Sequence, residues 1–230
     1  PGEEVLAALV RIARTDAADE WVRAAILSAS AERSGRLLAA LVDYLDLEAG
    51  SGIEPLTAGL ASIAGARGEG TEISRVLEVA ARVGGRRNRL CTAALIGLGE
   101  GLRRAGKSLP RLLASPPAGL ESAARAVAPL FAEAARRACD QQIPETERAQ
   151  SVRLLASTRF PLAAETFAKL LDPREPQAIQ LAAVRALASF RIGQRNLTMA
   201  TIRSSTRFSK SSVRSRTGPL RSSRKKSSSF

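Results

Sequence analysis

Histidine is absent from this chain. That removes the most frequent general base near neutral pH, the commonest metal ligand, and any Ser-His or Cys-His nucleophile pair. Aromatic residues are nearly as scarce, at 3% of 230 positions, so a core has to be assembled from Ala, Leu, Val and Ile. Such small and medium side chains suit helices that approach closely. Runs of β-branched and aromatic residues, the usual material of strands, are missing, and no segment reads as a strand. The only two cysteines, Cys91 and Cys139, belong to no CxxC pair and sit in apolar helical contexts. They read as small buried hydrophobes, and they leave a disulfide between them and the redox compartment open. No run of 18 apolar residues occurs, so nothing reads as a membrane-spanning helix. The opening Pro1-Gly2-Glu3-Glu4, with neither Met nor a signal peptide, reads as the start of a piece cut from something longer.

Acid is missing from one region only. The chain has 35 Lys+Arg against 22 Asp+Glu, a net charge of +13, but residues 191–230 hold 11 of the bases and none of the acids. Residues 1–190 are left with 24 bases and 22 acids and are nearly neutral. The basicity belongs to the tail, which also contains 11 Ser. Such a composition cannot bury enough surface to fold and predicts a disordered basic tail. It could bind polyanions by charge alone or be a solvated arm with no partner. The reading preferred here is a shifted reading frame or truncation, because the helical pattern halts abruptly after Phe190.

What is present is helical periodicity. In 175–190 the apolar residues Ile179, Ala182, Ala183, Ala186, Leu187 and Phe190 fall on one helical face. Pro176 suits a first turn, where its missing N–H has no intrahelical partner. Similar stripes predict helices over about 3–14, 17–33, 36–47, 55–66, 72–83, 87–105, 109–114, 120–141, 145–158 and 161–171. The faces expected inward include Val5, Leu6, Leu9, Ile12 and Ala13; Trp21, Val22, Ala25, Ile26 and Ala29; and Leu37, Leu38, Leu41, Val42 and Leu45. Further on they include Leu90, Ala93, Ala94, Gly97 and Leu98, then Ala124, Val127, Leu130, Phe131 and Ala134. Thr15-Asp16 is expected to cap the second helix, Ser34-Gly35 to separate the second from the third, and Pro129 to kink or split the eighth. Helices joined by short loops without strands mean an all-α protein. Loose self-similarity of Val22–Ala29, Leu90–Leu98, Arg148–Leu155 and Ile179–Ala186 predicts an α-solenoid of antiparallel helix pairs over 1–190. An uncovered apolar face is expected after its last helix.

Asp19-Glu-Trp-Val-Arg-Ala-Ala25 resembles the second helix of a HEAT repeat, and 175–190 fits the same pattern with Gln180 in place of Arg. Trp21-Val-Arg23, the Gly97-Leu-Gly-Glu-Gly-Leu102 helix, Glu147-Arg148 with Leu154-Leu155, Leu170-Leu-Asp-Pro173 and 180–187 are together similar to the HEAT-like region of planctomycete-type membrane-bound dehydrogenases. That resemblance covers about 1–190. It implies a connector between a sugar-dehydrogenase-like propeller and a c-type cytochrome module, in a periplasmic or secreted protein. The chain itself has no CxxCH for covalent haem.

Candidate chemistry is thin. Gly101-Leu-Arg-Arg-Ala-Gly106-Lys107-Ser108 satisfies the P-loop pattern, in which backbone amides would cradle phosphates and Lys107 and Ser108 would serve phosphate and Mg²⁺. The residues before it read as helix rather than strand. The preferred reading is a helix C-terminus, with Gly106 at C′ and Pro110 beyond. Gly65–Gly70 reads as an interhelical loop, and Asp43, Asp46 and Glu48 as a solvated helix end. Arg82, Arg86, Arg87, Arg89, Arg103, Arg104 and Lys107 form the only candidate basic patch in 1–190. The expectation is a non-catalytic scaffold with no cofactor and no metal, whose partners are proteins or adjacent domains of a parent chain. A nucleic-acid-binding repeat protein using that patch and the tail is the alternative.

Overall fold

In this computed structural model the described residues are 2–44, 52–84 and 88–190. They form eleven helices and no strand. The helices are α1 (Gly2–Asp16), α2 (Glu20–Ala29), α3 (Ser34–Tyr44), α4 (Ile53–Arg67), α5 (Gly70–Val83), α6 (Asn88–Arg104), α7 (Leu109–Ala114), α8 (Glu121–Cys139), α9 (Glu145–Leu155) and α10 (Phe160–Leu170), followed by α11 (177–190). The all-α class expected from periodicity is therefore observed. The Ser/Arg-rich tail, 191–230, lies outside the described residues, as do Leu45, Asp46, Glu48 and Gly85. By its internal contacts the chain divides into Pro1–Leu187 and Ala188–Phe230, and the packing that follows lies within the first unit.

The helices pack in two series. In one, α1 lies on α3, α3 on α5, α5 on α8 and α8 on α10. In the other, α2 lies on α4, α4 on α6 and α6 on α9. The series touch through α1 with α2, α3 with α4, α5 with α6 and α8 with α9, and short α7 bridges α6 and α8. Neighbours within a series run in the same direction. The starts of α3 and α5 meet where Glu72 accepts from the Gly35 amide at 2.7 Å, and their ends meet where Arg82 pairs with Asp43 at 2.7 Å. On the other side, Arg89 at the start of α6 faces Glu147 at the start of α9, at 3.7 Å.

The closest packing is between α4 and α6. A Cβ added to Gly101 would stand 2.8 Å from the Ala66 amide nitrogen. One on Gly97 would stand 2.9 Å from the Ala58 carbonyl carbon, and one on Gly65 would stand 2.6 Å from the Leu98 carbonyl oxygen. Small residues four apart let two backbones touch, so main-chain van der Waals contact replaces side-chain interdigitation. Around this seam lie Leu56, Leu60, Leu95, Leu98 and Leu102, all fully buried.

Several expectations need correction. Trp21 is 84% exposed, Val5 52% and Ile12 43%, and Ala25 and Ala29 are exposed as well. In α2 only Ile26 is buried. The reason is geometric: α2 packs on α1 and α4, and its remaining face, which carries Trp21, Ala25 and Ala29, is left to solvent. The cap of α2 is Asp19 rather than Asp16; its carboxylate accepts from the amides of Trp21 at 2.7 Å and Val22 at 3.2 Å. Asp16 instead ends α1. Ser34 and Gly35 do not separate two helices but begin α3, both buried, with Glu72 satisfying the free amides of that helix start. Pro129 does not split α8, which runs unbroken past it with the ring exposed. Leu130 and Phe131 are half-buried, whereas Ala124, Val127 and Ala134 are buried as expected.

Candidate functional site

The P-loop match resolves into a helix ending. The Lys107 amide donates to the Leu102 carbonyl at 2.8 Å, and the Gly106 amide to the Arg103 carbonyl at 3.0 Å. This is the paired closure of a Schellman motif, with Gly106 at φ +71° in the left-handed region. The amides that would have to cradle phosphate are spent on the carbonyls of α6. The residues before them are helix rather than the strand a phosphate loop springs from.

The described members of the candidate basic patch fall in two groups. Arg89 and Arg103 lie near opposite ends of α6, and 14 residues of helical rise separate them by about 21 Å. Arg82 pairs with Asp43, and Arg89 faces Glu147. At the other end, Arg104 donates to the Ser62 hydroxyl at 3.0 Å, while Arg103 and Lys107 are exposed. Arg86 and Arg87 lie outside the described residues. Opposite α6, the end of α4 carries Arg67, whose pKa is raised by its hydrogen bond to Glu69. Basic side chains at helix ends complement the carbonyls there, which accounts for Arg67, Arg103 and Arg104 without a ligand.

Two charged groups that periodicity did not single out are buried at junctions between helices. Arg148 on α9 is 2% exposed. Its Nε donates to the Ala138 carbonyl near the end of α8 at 2.9 Å, and its Nη2 to Glu175, ahead of α11, at 2.6 Å. The adjacent Glu147 takes Arg137 of α8 at 2.7 Å. The second group is Glu72, 5% exposed, which holds the start of α3 and is paired with Arg75. Glu147-Arg148 was visible in the sequence as part of the HEAT-like resemblance. Glu72 carried no signal beyond a first-turn acid, which helices favour anyway.

A groove among α4, α6 and α9, lined by Glu54, Thr92, Gln150 and Arg153, has a volume of about 170 Å³. That is below the few hundred Å³ usual for a ligand pocket, and Gln150 already donates to Glu54 across it at 2.9 Å. Among the described residues no group of three His, Cys, Asp or Glu is placed to hold a metal. No helix among them is long and apolar enough to cross a membrane.

Both cysteines are free thiols, so the disulfide left open by the sequence is not formed. Burial pushes the Cys91 thiol up to about 12, and burial also raises Cys139, which is only half-buried. The thiolate is the nucleophile. At pH 8 a disulfide reagent should therefore modify Cys139 first, and Cys91 only as fast as the native state opens. Mass-resolved labelling with and without denaturant reads this directly. Equal native rates at the two positions would contradict the burial of Cys91.

Set against known protein families, characterised proteins and solved structures, the chain matches none.

Proposed function

We propose that residues 2–187 are a non-catalytic helical-repeat scaffold, a HEAT-like solenoid that presents a stacked helical surface to proteins or holds adjoining modules apart. The observation that carries this reading is the pairing pattern. α1, α3, α5, α8 and α10 pack in turn on one another, α2, α4, α6 and α9 do the same, and α1, α3, α5 and α8 pack on α2, α4, α6 and α9 across the two series. In a repeat array each pair completes its core only against its neighbours. The charged junctions support the same reading. Glu3 with Arg36, Glu72 with the start of α3, Arg89 with Glu147 and Arg148 with Glu175 each tie one pair to the next. By the resemblance described above, the modules held apart would be the propeller and cytochrome parts of a haem-containing dehydrogenase. The nucleic-acid alternative would require basic residues gathered on one face, and the division of the α6 arginines between its two ends weighs against it.

Stepwise truncation tests the architecture on which the function depends. A chain ending at residue 158, lacking α10 and α11, should keep helicity in proportion to its length and still unfold cooperatively. Wholesale loss of structure would point to a closed bundle and remove the basis for a scaffold. Duplex DNA binding by this truncated chain, weakening steeply with salt, would bring the nucleic-acid reading forward instead.

A further inference from the structure

We propose that the surface formed by the close of α6, by α7 and by the close of α9 docks an acidic segment of a partner protein, one that also carries an apolar residue. This rests on the scaffold reading above and gives the partner its chemistry. The observation behind it is where cations lack counter-ions. Several bases elsewhere face carboxylates, as Arg67 does Glu69, Arg82 Asp43 and Arg137 Glu147. Among the described residues no ion pair engages Arg103, Arg104, Lys107, Arg111, Arg153 or Arg159, and all six are exposed.

Packing gathers these six. A Cβ added to Gly99 of α6 would lie 3.4 Å from the Ser157 hydroxyl, just past α9, and 3.7 Å from a side-chain carbon of Leu109 in α7. Arg103 stands one turn beyond Gly99, Arg111 follows Leu109 closely, and Arg153 and Arg159 flank Ser157. Lys107 leads from α6 into α7, and a Cβ added to Gly68 at the close of α4 would stand 2.9 Å from its Nζ. The acids nearby are mostly engaged. Glu69 holds Arg67, Glu54 accepts from Gln150, and Glu121 accepts from the Gly119 amide at 2.8 Å with exposed Arg125 one turn on. Glu100, half-buried, is left to set against the six bases. Helix-end carbonyls account for arginines in last turns. They do not account for Lys107, beyond the close of α6, or for Arg159, the N-cap of α10, where positive charge opposes the dipole. Like charges gathered without counter-ions repel, and an anionic partner relieves that repulsion.

The adjoining groove selects a polypeptide over a phosphate backbone. Ala58, Ala93 and Ile96 line it together with Arg153, and its volume is about 170 Å³. An apolar cavity of about 150 Å³ holds a benzene ring, so the groove has room for one side chain of leucine size. A nucleic acid brings phosphates without aliphatic side chains, whereas an acidic peptide brings carboxylates and an apolar anchor together. Opposite charge across such a contact steers encounter and fixes register.

Fluorescence anisotropy of a labelled Glu-Glu-Leu-Glu-Glu peptide with the full chain provides the test. The parent should bind it, less tightly as salt is raised. Arg103→Glu/Lys107→Glu/Arg111→Glu should weaken binding at least about 10-fold. Arg11→Glu/Arg14→Glu/Arg174→Glu makes the same change in net charge at exposed positions on α1 and after α10, and should stay within about twofold of the parent. The basic residues of 191–230 are common to both variants, so the comparison isolates the surface. Should charge reversal disturb the circular dichroism, glutamine at positions 103, 107 and 111 should still show a loss of at least about threefold. A peptide with serine in place of leucine should bind at least about 5-fold more weakly. Equal binding by the parent and the first variant overturns the proposal, as does an equal loss in the second variant or indifference to the leucine. Tighter binding of duplex DNA, lost in the first variant alone, overturns it in favour of a nucleic-acid surface. A chain that ignores the peptide yet scatters as an elongated particle refutes the docking alone, whereas a compact one refutes the scaffold beneath it.

Discussion

Gly101→Val should cost the protein more stability than any single surface change. The reason is the absence of room between α4 and α6. A Cβ at Gly101 meets the backbone of Ser62 and Ala66, not the end of a flexible side chain. Backbone cannot rotate aside, so α4 and α6 must separate and the contacts of Leu60, Leu98 and Leu102 must loosen with them. Overpacking typically costs about 1–3 kcal/mol, and a clash against helical backbone belongs at or above the top of that range. Gly97→Val should behave alike, because its Cβ would meet the Ala58 backbone. Gly99, between them, supplies the control. A Cβ there would meet the Ser157 hydroxyl at 3.4 Å and Leu109 side-chain carbons at 3.7 and 3.8 Å, which is ordinary contact. Gly99→Ala should therefore stabilise by about 0.5–1 kcal/mol, the usual gain from removing a mid-helix glycine. Denaturant titration of the three variants gives opposite signs two residues apart on one helix. Equal effects at Gly97, Gly99 and Gly101 would mean that the helices are not in backbone contact.

Arg148→Met should destabilise by about 3–5 kcal/mol, the range for leaving a buried charge without its partner. Methionine keeps most of the length of the side chain and removes only the charged head. Glu175, 11% exposed, then loses its counter-ion, and the Ala138 carbonyl loses its donor. Glu175→Gln should cost less, because a neutral amide can still accept from the guanidinium. Removing both charges in Arg148→Met/Glu175→Met should recover part of the loss, since a buried pair replaced by apolar groups is often near neutral. The double-mutant cycle isolates the coupling. Additive losses would show that Arg148 acts by packing alone. The cost should also be felt locally. Arg148 joins α8 and α9 to the segment leading into α11, so hydrogen exchange in 175–187 should accelerate more than in α4 or α6.

The two sites differ in how far they could be read in advance. Gly97 stands on the stripe with Leu90, Ala93, Ala94 and Leu98 that predicts a buried face, and the structure buries that stripe and, one turn on, Gly101, which the stripe did not include. That the partner would be α4, through Ala58, Ser62 and Gly65, is a relation across some 40 positions that no local pattern encodes. Arg148 lay inside a recognisable motif, but its partners come from two other helices. The six arginines and one lysine gathered as a basic patch show the opposite case. Nearness along the chain suggested a cluster, while the rise of α6 separates its two ends and neighbouring carboxylates engage Arg82 and Arg89.

The sequence by itself determined that this protein is helical, about where most of its helices lie and which stripes are apolar. Those properties follow from interactions within four or five residues: the i to i+4 hydrogen bond, the left-handed turn at Gly68 and Gly106, and the proline near the start of α7 and α10. Tertiary structure decided which apolar stripes are covered. Leu38 and Leu41 of α3 and Val5 and Ile12 of α1 both lie at helical spacings, three and seven apart, and have opposite fates. Burial depends on what stands alongside, and a side chain's own periodicity carries no information about whether a neighbour is there. The same holds for the caps and pairs that join the helices. Asp19 serves its own helix and could be read locally, but Glu72 caps α3 from α5, and only packing brings them together.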